Sequence, residues 1–93
     1  MFYVYILQSE KDNKFYIGST NNLRKRLKKH NDGNVFSTKS RRPFILIYYE
    51  AFLSEKDARE REKQLKHFGK AYQELKKRIE NSSKGAGFIK NVA

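Results

Sequence analysis

Phe2-Tyr3-Val4-Tyr5-Ile6-Leu7 and, after a polar break, Phe15-Tyr16-Ile17-Gly18-Ser19-Thr20 decide how this chain folds. Both stretches are aromatic and β-branched, the composition that suits a pleated, half-buried surface. Between them, Gln8 to Lys14 is polar throughout and centres on Lys11-Asp12-Asn13-Lys14, turn chemistry that joins neighbouring antiparallel strands. The chain therefore opens on a β-hairpin.

Beyond the hairpin the period changes. Leu23 and Leu27 are apolar, while Arg24, Lys25, Arg26, Lys28 and Lys29 fill the positions around Leu27, which predicts a short basic helix. Asn21 or Asn22 caps its start, and Asn31-Asp32-Gly33-Asn34 stops it. The following loop adds Lys39, Arg41 and Arg42 and closes on Pro43. Phe44 to Tyr49 is a continuous apolar run, read as the central strand, covered on both faces. Ser54-Glu55-Lys56-Asp57 has capping-box spacing and predicts a helix ending at Gly69; a further helix is expected over Ala71 to Ile79. The expected class is α+β, a small three-stranded mixed or antiparallel sheet flanked by helices, in one domain over residues 1–80. Residues 81–93, with Ser82-Ser83 and Gly85-Ala86-Gly87, read as a loosely ordered tail.

Composition narrows the partners. Across 93 residues, 21 lysines and arginines face 10 aspartates and glutamates, a formal charge of +11, and a polyanion is the simplest partner for such an excess. The chain has no cysteine, so neither a disulfide framework nor a thiolate zinc site holds it together, and its apolar residues must. The run from Phe2 to Leu7 is too short for a signal peptide or membrane span, so a cytoplasmic protein is expected. Walker-type phosphate loops and nucleophile elbows are missing, and Gly85-Ala86-Gly87 lacks the flanking strand and helix of a dinucleotide site. His30 and His67 lie far apart, a poor start for a zinc centre. What remains is a cationic domain with tyrosines on its first strands and glutamates on a later helix, parts that suit phosphodiester chemistry.

Tyr3-Val4-Tyr5, ten residues, then Tyr16-Ile17-Gly18, followed by Leu23-Arg24-Lys25-Arg26-Leu27-Lys28-Lys29-His30, resembles the GIY-YIG nuclease domain. Arg59-Glu60-Arg61-Glu62-Lys63-Gln64-Leu65 is similar to the segment that carries the family's metal-binding glutamate. The likeness is closest to the small stand-alone bacterial branch of uncharacterised proteins. It implies that Tyr5 and Tyr16 stand side by side as a base system, with Tyr16, helped by Tyr5, or a metal-bound hydroxide relay activating the attacking water and Gly18 keeping the strand end clear. It further implies that Arg26 stabilises the charged pentacovalent phosphate, that His30 lies in the active site, and that Glu62 holds one Mg2+ or Mn2+ ion. Arg26 and His30, four residues apart, share a helix face independently of that likeness. The sequence departs from the family pattern in two places: Tyr3 replaces the first motif's glycine, and no asparagine, neither Asn81 nor Asn91, matches the family's late one.

The resemblance implies metal-dependent cleavage of DNA. Lys25, Lys28, Lys29, Lys39, Arg41 and Arg42 would position nucleic acid without reading its sequence. Ninety-three residues leave no room for a separate targeting domain, so substrate shape or a protein partner would direct it. The competing class is a non-catalytic DNA- or RNA-binding module, in which the tyrosines stack on bases. Taken singly, Tyr5 and Tyr16 also fit half-buried strand residues, and Arg26 a solvated or phosphate-positioning cation. Glu62 equally fits a surface ion pair with Arg59, Lys63 or Lys66, and His30 a helix cap. Convergence of Tyr5, Tyr16, Arg26 and Glu62 in one cleft separates the classes, since a binder has no use for a carboxylate beside its phosphate site.

Overall fold

Alternation with period two builds the sheet. The computed structural model describes residues 1–83. Strands β1 (Phe2–Ser9), β2 (Phe15–Thr20) and β3 (Phe44–Phe52) form a wholly antiparallel sheet in the order β2-β1-β3. Helix α1 (Leu23–Asn31) follows the hairpin, and α2 (Glu55–Lys66) and α3 (Lys70–Arg78) follow β3. The class is α+β, as the sequence predicts.

Each face of the sheet has its own small core. Val4, Ile6 and Ile17 point to one side and pack with Ala58 and Leu65 of α2 and with Leu75 and Ile79. Tyr5, Leu7 and Phe44 point to the other, where Tyr16, Leu23, Leu27 and Leu46 close over them. Fully burying one such aliphatic side chain contributes about 1.5–3 kcal/mol. The central strand is therefore β1, buried along Val4 to Ser9, and β3 is an edge strand, contrary to the sequence reading. A β-bulge explains the error. The register shifts between Ile6 and Leu7, which pair with Tyr48 and Leu46, leaving Ile47 as the extra residue. Apolar side chains on either side of the bulge serve opposite faces, so the run reads as continuous.

The hairpin turn is tied down by Ser9, whose Oγ accepts from the Lys11 and Asp12 amides and donates to the Arg41 carbonyl. Asn22 caps α1 by accepting from the Lys25 amide at 3.0 Å, and Gly33, at φ 81°, turns the chain away after it. Ser54 occupies the N-cap of α2 but its hydroxyl makes no capping bond, so the expected capping box is not formed. Helix α2 also stops earlier than predicted: the left-handed residue is Phe68, at φ 55°, not Gly69. Residues 80–83 add a helical turn, with the Ser83 amide donating to the Ile79 carbonyl; the rest of the tail expected to be loose lies outside the described residues.

Candidate active site

The hairpin register sets Tyr5 directly opposite Gly18 and Leu7 opposite Tyr16. A Cβ on Gly18 would sit 2.5 Å from the Tyr5 hydroxyl oxygen and 2.6 Å from Cζ, so the Tyr5 ring lies across a gap that only glycine leaves. Tyr5 is itself buried, 3% exposed. Its hydroxyl is 2.9 Å from His30 Nε2, and His30 Nδ1 is 2.8 Å from Thr38 Oγ1, which donates in turn to the Val35 carbonyl at 3.4 Å. The directions in this chain follow from its last link: if Thr38 donates to Val35, Oγ1 accepts from Nδ1–H, and Nε2 accepts from the Tyr5 O–H. His30 is thus a neutral imidazole. Burial first, then the charges of Arg26 and Lys29, hold its pKa down to about 4. Burial pushes the Tyr5 hydroxyl far above the ordinary phenol range, helped by Tyr16 and Glu62 and opposed by Arg26.

Tyr16 is half-buried, its ring centroid 4.9 Å from that of His30 and 6.4 Å from that of Tyr5. Among the described residues its hydroxyl has no hydrogen-bond partner. Arg26 is carried on the turn of α1 before His30, half-buried, and its guanidinium likewise makes no hydrogen bond or ion pair there. It lines a cleft of about 230 Å³ with Ser19, Thr20, Asn21 and, from α2, Arg59. Ser19 connects this cleft to the carboxylate: its Oγ donates to Glu62 Oε1 at 2.6 Å, while Lys66 Nζ donates to Oε2 at 2.7 Å. Burial alone would raise the Glu62 pKa, but the bonds from Lys66 and Ser19 and the charges of Lys66 and Arg59 outweigh it, and the net shift is downward. Glu62 is a carboxylate at neutral pH. The Tyr5 hydroxyl lies within electrostatic reach of Tyr16, Arg26 and Glu62, but the four do not share one cleft: Arg26, Glu62 and Tyr16 line three separate ones, linked by the Ser19–Glu62 hydrogen bond.

A hard divalent cation needs ionised oxygen donors, and Mg2+ commonly takes one or two carboxylates and completes its shell with water and substrate phosphate. Glu62 fits that description, with a protein ammonium already compensating the same oxygen. Among the described residues no cluster of three or more histidine or acidic side chains could hold a metal.

The basic residues divide. Lys25, Lys29, Lys39 and Arg42 are exposed, as is Lys28, which pairs with Asp32 at 2.6 Å. Arg41, expected to face nucleic acid, instead pairs with Asp12 at 2.9 Å and lies over the Phe44 ring, so it fastens the 39–44 loop to the hairpin turn. Arg42 folds back over Gly33, its Nε donating to the Lys39 carbonyl. Tyr3 packs edge-on against Tyr49, and Val4 and Ile17 are core residues of the opposite face. Sequence reasoning missed Ser19 and Thr38, which hold Glu62 and His30; adjacency to Gly18 was the only hint of Ser19.

Residues 1–78 match the family described as the GIY-YIG catalytic domain. The chain belongs to the GIY-YIG family. It is 41% identical over 81 residues to the UPF0213 protein YazA of Bacillus subtilis, covering 86% of this chain and 82% of that one. A UPF0213 protein of Clostridium perfringens is 46% identical over 67 residues, 71% of each chain. The solution NMR structure of the UPF0213 protein BH0048 from Bacillus halodurans superposes with a TM-score of 0.50 at 36% identity over 81% of both chains. GIY-YIG domains form a nuclease superfamily whose members generally depend on a divalent metal, and their substrate is nucleic acid. Among the described residues, no helix is long and apolar enough to cross a membrane.

Proposed function

We propose that this GIY-YIG chain is a divalent-metal-dependent endonuclease that hydrolyses DNA phosphodiester bonds in the cytoplasm. The observation that supports the reading is Ser19, which lines the Arg26 cleft and donates to the Glu62 carboxylate, so that a guanidinium with no ion-pair partner among the described residues and a carboxylate flank the same end of β2. A surface that only binds phosphate gains nothing from a carboxylate there, because it repels the ligand.

In this reading Tyr16 orients and activates the attacking water, since its hydroxyl has no other partner. Arg26 binds the phosphoryl oxygens and gains strength as negative charge builds on them in the transition state. Glu62, fixed by the hydrogen bond from Ser19 and paired with Lys66, would hold a Mg2+ or Mn2+ ion. Such an ion would supply charge neutralisation to the phosphate undergoing cleavage. Tyr5 and His30 are positioning residues: both are buried and hydrogen-bonded to each other, and neither offers a base to water. Their rings set the angle of Tyr16. Lys25, Lys28, Lys29, Lys39 and Arg42 draw the polyanion in from the α1 side.

Cleavage of labelled duplex, branched and single-stranded DNA and RNA by wild type, Tyr16→Phe and Arg26→Ala tests these roles. Each variant should lose at least about 100-fold in cleavage rate, with the affinity for uncleaved DNA in chelator changed much less for Tyr16→Phe. Wild-type rates in either variant overturn the mechanism.

A further inference from the structure

Phe68 is unusual in three independent ways. Its backbone is left-handed, at φ 55°, a conformation that bulky residues rarely adopt, although Gly69 stands immediately after it with an ordinary negative φ. The residue is 60% exposed. And it forms one wall of a mostly apolar pocket of about 320 Å³ whose other walls are Phe15, Tyr16, Ile17 and Lys66. A helix end with no task would place glycine at the left-handed position and leave no aromatic ring in water. Here the left-handed turn instead holds the ring at the edge of β2, braced by Tyr72 in a T-shaped contact with centroids 5.0 Å apart.

The position of the pocket says what it takes. Tyr16 is shared between the pocket and the candidate active site, and Lys66, on the rim, bonds Glu62. An occupant beside Tyr16 is one residue away from the phosphate being cleaved, on a protein whose net charge is +11. The chemistry of the walls, three apolar or aromatic side chains beside Tyr16 and one cation, is that of a stacking platform with a phosphate contact. The volume lies at the lower end of small-ligand pockets. Resting on the nuclease reading above, we infer that this pocket receives the nucleobase flanking the scissile phosphate, unstacked from its neighbours and laid against Phe68. Duplex ends, branches, mismatches and single strands, whose bases unstack cheaply, are then the preferred substrates over continuous duplex.

The test is binding of a short single-stranded DNA carrying 2-aminopurine, whose fluorescence is quenched on stacking, to the full chain in chelator. Wild type and Phe68→Tyr should bind and quench it. Phe68→Asn, which tolerates the left-handed backbone but has no ring, should bind about tenfold more weakly and lose the quenching. Unchanged affinity and quenching in Phe68→Asn overturn the inference, as does a wild type that never quenches. Should Phe68→Asn unfold, the wild type alone decides: the Phe68 ring resonances shift when the same oligonucleotide is added, and unmoved resonances in the bound state refute the contact. Failure here and failure of the nuclease reading are separable. Metal-dependent cleavage with no Phe68 effect removes only the pocket, whereas Phe68-dependent quenching without cleavage under either metal removes only the nuclease.

Discussion

Replacing Gly18 with alanine tests the geometry on which the site stands. The added Cβ would lie 2.5 Å from the Tyr5 hydroxyl oxygen, and ordinary contact begins near 3.4 Å, so about 0.9 Å must be found by moving Tyr5 or β2. Tyr5 has little freedom, being 3% exposed and bonded to His30 at 2.9 Å. Moving its hydroxyl that far breaks the bond. Overpacking costs about 1–3 kcal/mol, and an orphaned buried partner on His30 about 1–3 kcal/mol. Restricting the unfolded chain returns about 0.4–1 kcal/mol. The net loss is about 1–5 kcal/mol, which lowers the melting temperature of a chain this size by about 4–40 °C. Thermal unfolding followed by far-ultraviolet circular dichroism reads it. Because Cζ also lies at 2.6 Å, Tyr5→Phe should not rescue Gly18→Ala, whereas Tyr5→Leu should recover about 1–3 kcal/mol of the loss beyond additivity. A Gly18→Ala protein melting within about 3 °C of wild type, or strict additivity with Tyr5→Leu, refutes the packing argument.

Acid should weaken the fold through His30. Its folded pKa of about 4 lies below the ordinary 6.5, so between those values the unfolded chain binds the extra proton and stability rises with pH. The contribution, about 3 kcal/mol, is complete above pH 6.5 and lost as pH falls towards 4; urea midpoints at pH 7, 5.5 and 4.5 should show it, and His30→Gln should flatten the slope. Nucleic-acid affinity should fall linearly on a log–log plot against salt. Lys25→Ala should reduce that slope by about 1, while Arg41→Ala, whose guanidinium is tied to Asp12, should leave it unchanged in a filter-binding titration.

Local patterns made most of this fold legible. The hairpin, the basic helix with its Asn22 cap and the acidic-basic helix α2 each announce themselves within a dozen residues, because strand alternation, capping and turn chemistry are short-range. What escaped depends on contacts between distant segments. The edge position of β3 was hidden by a bulge, which lets neighbouring apolar side chains face opposite cores. Thr38 reaches His30 from a loop, and Arg41 reaches Asp12 across 29 residues of sequence. No periodicity encodes either meeting. The candidate site divides the same way: Tyr5, Tyr16, Gly18, Arg26 and Glu62 stand out by spacing and resemblance, but the burial of Tyr5 and His30 emerges only when sheet and helix are packed together.

On the proposed reading Glu62 makes this basic fold a metal-dependent nuclease, which cleavage of labelled DNA by wild type and Glu62→Ala in magnesium, manganese or chelator tests. Metal-dependent cleavage by wild type, lost in chelator and reduced at least about 100-fold in Glu62→Ala, is the predicted result. Equal cleavage by the two proteins, or tight binding with no cleavage under either metal, contradicts it.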